Sequence, residues 1–100
     1  MEKRDIQISI VIPMYNAERY IGDCLNSIVK QATQQIEVVV VDDGSTDESP
    51  AIADKFANEY AFVKVIHQKN GGVIAARKNG IRHSRGAYIF SMDSDDWLGN

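Results

Sequence analysis

Apolar positions along the chain switch repeatedly between a period of two and a period near 3.6. Residues 6–12 alternate at Ile6, Ile8 and Ile10 and then run apolar, as a largely buried strand does. Pro13 closes that segment. Asn16 is placed to cap a helix in which Tyr20, Ile21, Cys24, Leu25, Ile28 and Val29 form one stripe at helical spacing. Residues 36–41 are nearly all β-branched and apolar, which suits a central strand covered on both faces. Asp42-Asp43-Gly44-Ser45 is turn chemistry. A second helix follows, with Ser49 or Asp47 as its cap, Pro50 at its first position and a stripe of Ile52, Ala53, Phe56, Ala57 and Tyr60. A strand near residues 63–67, the break Asn70-Gly71-Gly72, a helix to about Ser84 and a strand over residues 88–92 complete the chain.

The predicted order is β-α-β-α-β-α-β with short loops and no linker or low-complexity segment. It implies a single α/β domain over residues 1–100: a parallel, Rossmann-like sheet with right-handed crossovers and helices on both faces. Ligands of such sheets bind outside the carboxyl ends of the strands. The polar clusters fall there: Tyr15-Asn16, Asp42 to Thr46, Asn70 to Gly72, and Asp93 to Asp96 follow the four strands in turn. Four loops therefore converge on one edge.

Composition narrows the class. With 44% hydrophobic and 25% charged residues the chain is an ordinary globular domain. The lone Cys24 forms no internal disulfide, and a reducing cytoplasm is the expected setting. No apolar run approaches the roughly 20 residues that span a bilayer, and the charged start does not lead into a signal-peptide core. A net charge of −3 gives no footprint for nucleic acid. Its distribution is more telling. Seven of the fourteen acids lie in residues 42–48 and 93–96, whereas residues 64–85 hold six Lys/Arg and no acid. That suits either solvated helix faces, the reading for Arg82 and Arg85, or a site with carboxylates on one side and cations on another.

The usual phosphate cradles are missing, since neither G-x-G-x-x-G nor G-x-x-x-x-G-K-[ST] occurs. Gly71-Gly72 at the start of a helix either presents N–H groups to an anion or is a plain turn. Asp93-Ser94-Asp95-Asp96 repels itself unless a cation or hydrogen-bond donors offset it. A hard divalent cation shared with phosphate oxygens does that, and helix capping by Asp95 or Asp96 is the structural alternative. An EF-hand is disfavoured by Leu98 where that loop needs glycine. The Asp42 to Thr46 loop either accepts N–H and O–H donors of a base or ribose, or is a turn with a cap. Arg77 projects among Val73, Ala76, Gly80 and Ile81, so it needs an anion, either a strand-end aspartate or a phosphate. Phe56, Phe62 and Phe90 read as core. His67 reads as a strand-end residue without a special role, and His83 as exposed.

Taken together, Ile8-Ser9-Ile10-Val11-Ile12-Pro13-Met14-Tyr15-Asn16, Val40-Val41-Asp42-Asp43-Gly44-Ser45-Thr46-Asp47, Asn70-Gly71-Gly72 with Ala76-Arg77, and Met92-Asp93-Ser94-Asp95-Asp96 resemble glycosyltransferase family 2. The resemblance implies a GT-A fold with three α/β/α layers. It implies inverting transfer of a sugar from a nucleotide diphosphate sugar, a UDP-sugar first, to a saccharide or lipid-linked acceptor, with Mg²⁺ or Mn²⁺. By the same resemblance Pro13 and Tyr15 flank the base, Asp43 accepts a base N–H and Asp42 supports that loop. Asp93 and Asp95 form the D-x-D pair facing ribose and metal-diphosphate, Asp96 shares that duty, and Arg77 braces the diphosphate or the acidic loop. The family's Arg-Asn-x-Gly reads Arg77-Lys78-Asn79-Gly80 here. The family also carries its general base and acceptor region past the D-x-D, so these are expected beyond Asn100, with the present residues as the donor-binding part. The implied location is the cytoplasm or the cytoplasmic face of the membrane.

Two other readings use the same residues. An acid-pocket phosphotransfer domain also pairs aspartates at strand ends. Receivers, however, place theirs after the first strand, where this chain has Pro13-Met14-Tyr15-Asn16, and Trp97 fills the last position of the phosphatase pattern D-x-D-x-[TV]. The second is a non-catalytic nucleotide-binding domain.

Overall fold

A computed structural model describes residues 6–32 and 35–94. The elements are β1 (Ile8–Met14), α1 (Ile21–Val29), β2 (Ile36–Asp43), α2 (Ser49–Glu59), β3 (Val63–Gln68), α3 (Val73–Arg82) and β4 (Tyr88–Ser91). The strands pair in parallel in the order β3-β2-β1-β4, so the sheet is of the expected type. The chain builds outward from β1 to β3 and then returns past its starting strand. A right-handed crossover covers one face when it moves outward and the other when it moves back. Helices α1 and α2 therefore share one face, and α3 lies alone on the other. The reversal falls between β1 and β4, where open parallel sheets form their ligand crevice.

Strand alternation divides the interior accordingly. Ile10, Ile12, Met14, Val38 and Val40 pack against Ile21, Cys24, Leu25, Ile28 and Ala53, while Val11, Val39 and Val41 meet Ala76 of α3. Helix α1 has no side-chain cap, and its hold is its fully buried stripe of Ile21, Cys24, Leu25 and Ile28. Each buried Ile or Leu there is worth roughly 1.5–3 kcal/mol. Asn16 is not the cap that the pattern predicts. The helix is opened by the Ala17 carbonyl, which accepts from Tyr20 and Ile21 N–H, and Asn16 stands outside it at a φ of 49°.

Phe56 and Phe62 pack against the larger core as expected, but Phe90 does not: it is 58% exposed. The cause is strand order. Strand β4 is an edge, paired only with β1 among the described residues, and Phe90 stands there beside Ile10 on the same face of the sheet as α1 and α2. At the amino ends of the strands, a buried Glu37 carboxylate fastens the return of the chain from α3. It accepts from Ser9 Oγ at 2.6 Å and from Arg85 N–H at 2.6 Å, with Lys64 Nζ and Arg85 Nε each at 3.6 Å. Burial pushes this carboxyl up, but those donors and charges outweigh it and hold it below the ordinary value.

Candidate functional site

Asp42 and Asp43 end the same strand, so their side chains leave opposite faces of the sheet. Register supplies the partners: Asp42 lies beside Met14 on one side and His67 on the other, and Asp43 lies beside Gln68. Asp43, on the α3 face, is 4% exposed. Its carboxylate accepts from Gln68 Nε2 at 2.8 Å, Gly71 N–H at 2.8 Å and Gly72 N–H at 3.0 Å. The glycine amides that the sequence offered to an anion thus hold the chain's own aspartate. Burial pushes the Asp43 carboxyl up, and the donors from Gly71, Gln68 and Gly72 overcome it, so the group stays ionised below the ordinary carboxylate range. Asn79 Nδ2 donates to Gln68 Oε1 at 2.7 Å and so orients the amide that reaches Asp43. Nothing local in the sequence marks Asn79 or Gln68 for this work. Asn70 Nδ2 reaches the Asp43 carbonyl at 3.0 Å, and the backbone passes so close that a Cβ on Gly44 would stand 2.8 Å from Asn70 N. With its φ of 73°, that position suits glycine.

Asp42, on the α2 face, accepts from Ser45 N–H at 2.9 Å, which shapes the turn after β2. Its other oxygen meets His67 Nδ1 at 2.8 Å, and His67 Nε2 meets Asp54 Oδ1 of α2 at 3.0 Å. His67 is therefore not the unengaged strand-end residue that its position in the sequence suggested.

The loops after β1 and β2 are clasped together. Asn16 N–H donates to Ser45 Oγ at 3.0 Å, Thr46 N–H to Asn16 Oδ1 at 2.7 Å, Glu18 N–H to Asp47 Oδ2 at 3.2 Å and Glu48 N–H to Glu18 Oε1 at 3.1 Å. Asp47 also takes the N–H of Ser49 at 2.9 Å, satisfying a donor at the start of α2. Its burial raises the Asp47 carboxyl, and the Ser49 and Glu18 donors more than reverse this.

Pro13, Met14, Tyr15, Asp43, Val73 and Ala76 line an open depression of about 240 Å³ at this edge. It is open to solvent, with Tyr15 half exposed at its wall and the ionised Asp43 among its lining. Pro13, Tyr15 and Asp43 are thus brought together, and Asp42 stands behind them. Val73 and Ala76 join from α3 through residues that the pattern marked only as apolar. Arg77 is half-buried, and its Nε donates to Ser91 Oγ at 2.8 Å, at the end of β4. Asp93 lies two residues past Ser91, the last residue of β4 and the partner of Val11, and its carbonyl accepts from Cys24 Sγ of α1 at 4.0 Å. Asp95 and Asp96 lie outside the described residues. Among the described residues, no three His, Cys, Asp or Glu side chains converge to hold an ion, and no helix is long and apolar enough to cross a membrane.

Comparison with known proteins agrees with this geometry. The profile of Glycosyl transferase family 2 matches residues 9–99. The uncharacterized glycosyltransferase EpsJ of Bacillus subtilis is 44% identical over 91 residues, which is 91% of this chain and 26% of that protein. The structure of S. aureus TarS 1-349 in complex with UDP-GlcNAc superposes with a TM-score of 0.87 at 37% identity, covering 94% of this chain and 28% of that one. The mannosyltransferase PcManGT from Pyrobaculum calidifontis, in complex with GDP-Man and Mn²⁺, gives a TM-score of 0.87 at 25% identity, over 96% of this chain and 29% of that one. The chain thus spans less than a third of these relatives, with the GT-A type of sheet, and over that span it belongs to glycosyl transferase family 2.

Proposed function

We propose that these residues form the donor-binding part of a sugar transferase. It holds a nucleoside diphosphate sugar, a UDP-sugar first, and passes a hexosyl group to a hydroxyl of a saccharide or lipid-linked acceptor. The observation that carries this reading is Asp43: an ionised, buried acceptor in the floor of a depression walled by Tyr15, Pro13 and Val73. Such a floor fits a flat ring that carries an N–H. Gly71, Gly72 and Gln68 together leave lone-pair capacity on Oδ2, which carries a single one of the three bonds. Tyr15 packs on the face of the base, Pro13 bounds it, and Asp42 keeps the turn in place. The TarS complex with UDP-GlcNAc and the PcManGT complex with GDP-Man support a nucleotide-sugar donor.

The diphosphate extends toward the β1–β4 crevice, where Arg77 is bonded to Ser91 at the end of β4 and Asp93 follows two residues later. Asp93 offers a hard oxygen donor of the kind Mg²⁺ and Mn²⁺ prefer, and in this reading Asp95 and Asp96 share the ion with it. The ion, when bound, neutralises charge on the departing diphosphate. The general base and the acceptor site are assigned to residues outside this chain, in keeping with its span of its relatives. The 100-residue chain is accordingly expected to bind donor but to turn it over slowly, since a positioned base contributes about 10²–10⁴-fold.

Calorimetry with UDP tests this. Binding is expected for the wild type, with Asp43→Ala losing about 1.5–3 kcal/mol as a charged acceptor disappears. EDTA together with Asp95→Asn should weaken binding further. Equal UDP affinity in wild type and Asp43→Ala would remove Asp43 from the site, and unchanged affinity under EDTA and Asp95→Asn would remove the metal. Preference for GDP would change the base only.

A further inference from the structure

His67 has a carboxylate oxygen against each ring nitrogen, Asp42 Oδ2 at 2.8 Å and Asp54 Oδ1 at 3.0 Å. A neutral imidazole carries one N–H and one lone pair, so it satisfies one of these acceptors and turns a lone pair toward the other. Only the imidazolium donates to both. The two acceptors come from different elements, Asp42 from the end of β2 and Asp54 from α2. They also differ in environment, with the Asp42 side chain 6% exposed and that of Asp54 51% exposed.

We propose that His67 is a protonation-dependent positioning residue for the nucleotide site: its imidazolium ties the end of β2, through Asp42, to helix α2, through Asp54. The proposal rests on the nucleotide-binding reading above. A continuous series of bonds leads from the ring to the wall of the depression. His67 holds Asp42, Asp42 holds Ser45 N–H at 2.9 Å, and Ser45 Oγ takes the N–H of Asn16 at 3.0 Å, next to Tyr15. The imidazolium also offsets the Asp42 charge, one residue along β2 from Asp43. When the proton leaves, the remaining N–H stays with the buried Asp42, whose desolvated oxygen is the costlier one to strand. Asp54 then turns to water, and the tie to α2 is lost.

The chemistry around the ring sets the direction of the effect. The hydrogen bond to Asp42 raises the His67 pKa most, burial opposes it, and the bond and charge of Asp54 add to the rise, so it lies above the ordinary 6.5. Asp42 from β2 and Asp54 from α2 are the charged groups facing the ring among the described residues, and β3 is itself the edge strand. A raised folded-state pKa means that the tie is complete below pH about 6.5 and is lost as pH rises through the raised value.

The test has two arms on the 100-residue chain. Imidazole NMR of His67 across pH 5–10 should give a midpoint above 6.5, with the Ser45 amide titrating in step and Asp54→Asn lowering the midpoint. A midpoint at or below 6.5, or a Ser45 amide that ignores it, would overturn the tie whatever the site binds. In the second arm the probe is UDP-GlcNAc with Mg²⁺, whose diphosphate is esterified at both ends and does not titrate in this range. Its affinity should fall about fivefold on raising the pH from below to above the His67 midpoint, the scale of one charge-assisted bond exchanged for a neutral one. The fall should move to lower pH in Asp54→Asn and vanish in His67→Gln, which should bind at every pH as the wild type does at high pH. A wild type that binds UDP-GlcNAc equally on both sides of the midpoint overturns this inference and leaves the proposed function standing. A chain whose His67 titrates as expected but which binds neither UDP nor UDP-GlcNAc overturns the proposed function, and the positioning role with it.

Discussion

Gly80→Ala sets two effects of opposite sign against each other, and the structure decides which wins. Gly80 sits in α3, where alanine is favoured over glycine by about 0.8–1.0 kcal/mol. The position is buried against the middle of the sheet, however, and a Cβ built there stands 2.4 Å from Val11 Cγ1 and 3.0 Å from Val41 Cγ2. Carbon atoms in contact prefer about 3.5–4.0 Å. More than an ångström must therefore be found, and Val11 is a fully buried β-branched residue on an inner strand with little freedom at χ1. The helix has to lift instead. A gap of 0.5–1 Å forfeits a quarter to a half of each neighbouring contact, and over-packing typically costs about 1–3 kcal/mol. The clash here is at the severe end of that range, so the net expectation after the helix gain is a loss of about 1–2 kcal/mol. In a domain of this size that lowers Tm by roughly 5–15 °C. Lifting α3 also moves Val73 and Ala76, so UDP affinity should fall with stability. Thermal and urea unfolding of Gly80→Ala, Val11→Ala and the double variant measure the effect. The alanine should cost much less in the Val11→Ala background, with a coupling of at least about 0.5 kcal/mol. A Gly80→Ala protein with a higher Tm than wild type would mean that helix propensity outweighs the contact, and the account of how α3 meets the sheet would be wrong.

Three further outcomes are expected. Glu37, Asp43 and Asp47 all have folded-state pKa values below their ordinary ones. Their stabilisation is therefore present above the unfolded values near about 4 and disappears as pH falls through the folded ones; the urea midpoint should drop steeply there, and less so in Glu37→Gln. Asn16→Ala should cost about 1–2 kcal/mol, because it removes the acceptor for Thr46 N–H and places alanine at a positive φ, whereas Asn16→Gly should cost less by keeping the backbone at ease. Ser9→Ala leaves Gly86 N–H without its 2.8 Å acceptor and Glu37 without its hydroxyl, so denaturation should show a loss of about 1–3 kcal/mol.

What could be read from the sequence divides by range. The strands, the helices and the parallel sheet were legible because Ile8–Met14, Ile36–Asp43 and the stripe of α1 carry their periods locally. The convergence of Pro13, Tyr15 and Asp43 followed from strand-end chemistry and from the resemblance. Phe90 was misplaced because apolar character does not say which strand lies at an edge. Asn16 was misread for a related reason. Its local signal is that of a cap, but Thr46, thirty residues later, takes its side chain. Asp42 and Asp43 looked like one feature, and only the pleat and the register show that they serve opposite faces. His67 and Asn79 had no local mark, since their partners are set by β2–β3 pairing and by where α2 and α3 pass.

The clasp between the loops after β1 and β2 has a consequence for how such a chain tolerates change. Its bonds join main-chain amides on each loop to side-chain oxygens on the other, in sequence from Asn16 with Ser45 to Glu18 with Glu48. A single inserted or deleted residue in either loop would throw every later partner out of step, as a slip does in a strand ladder. Side chains there can be exchanged one at a time at moderate cost, but loop length cannot drift. Diversification by insertion is therefore closed to this side of the crevice, and lengthened or reshaped loops must enter at other junctions of the chain.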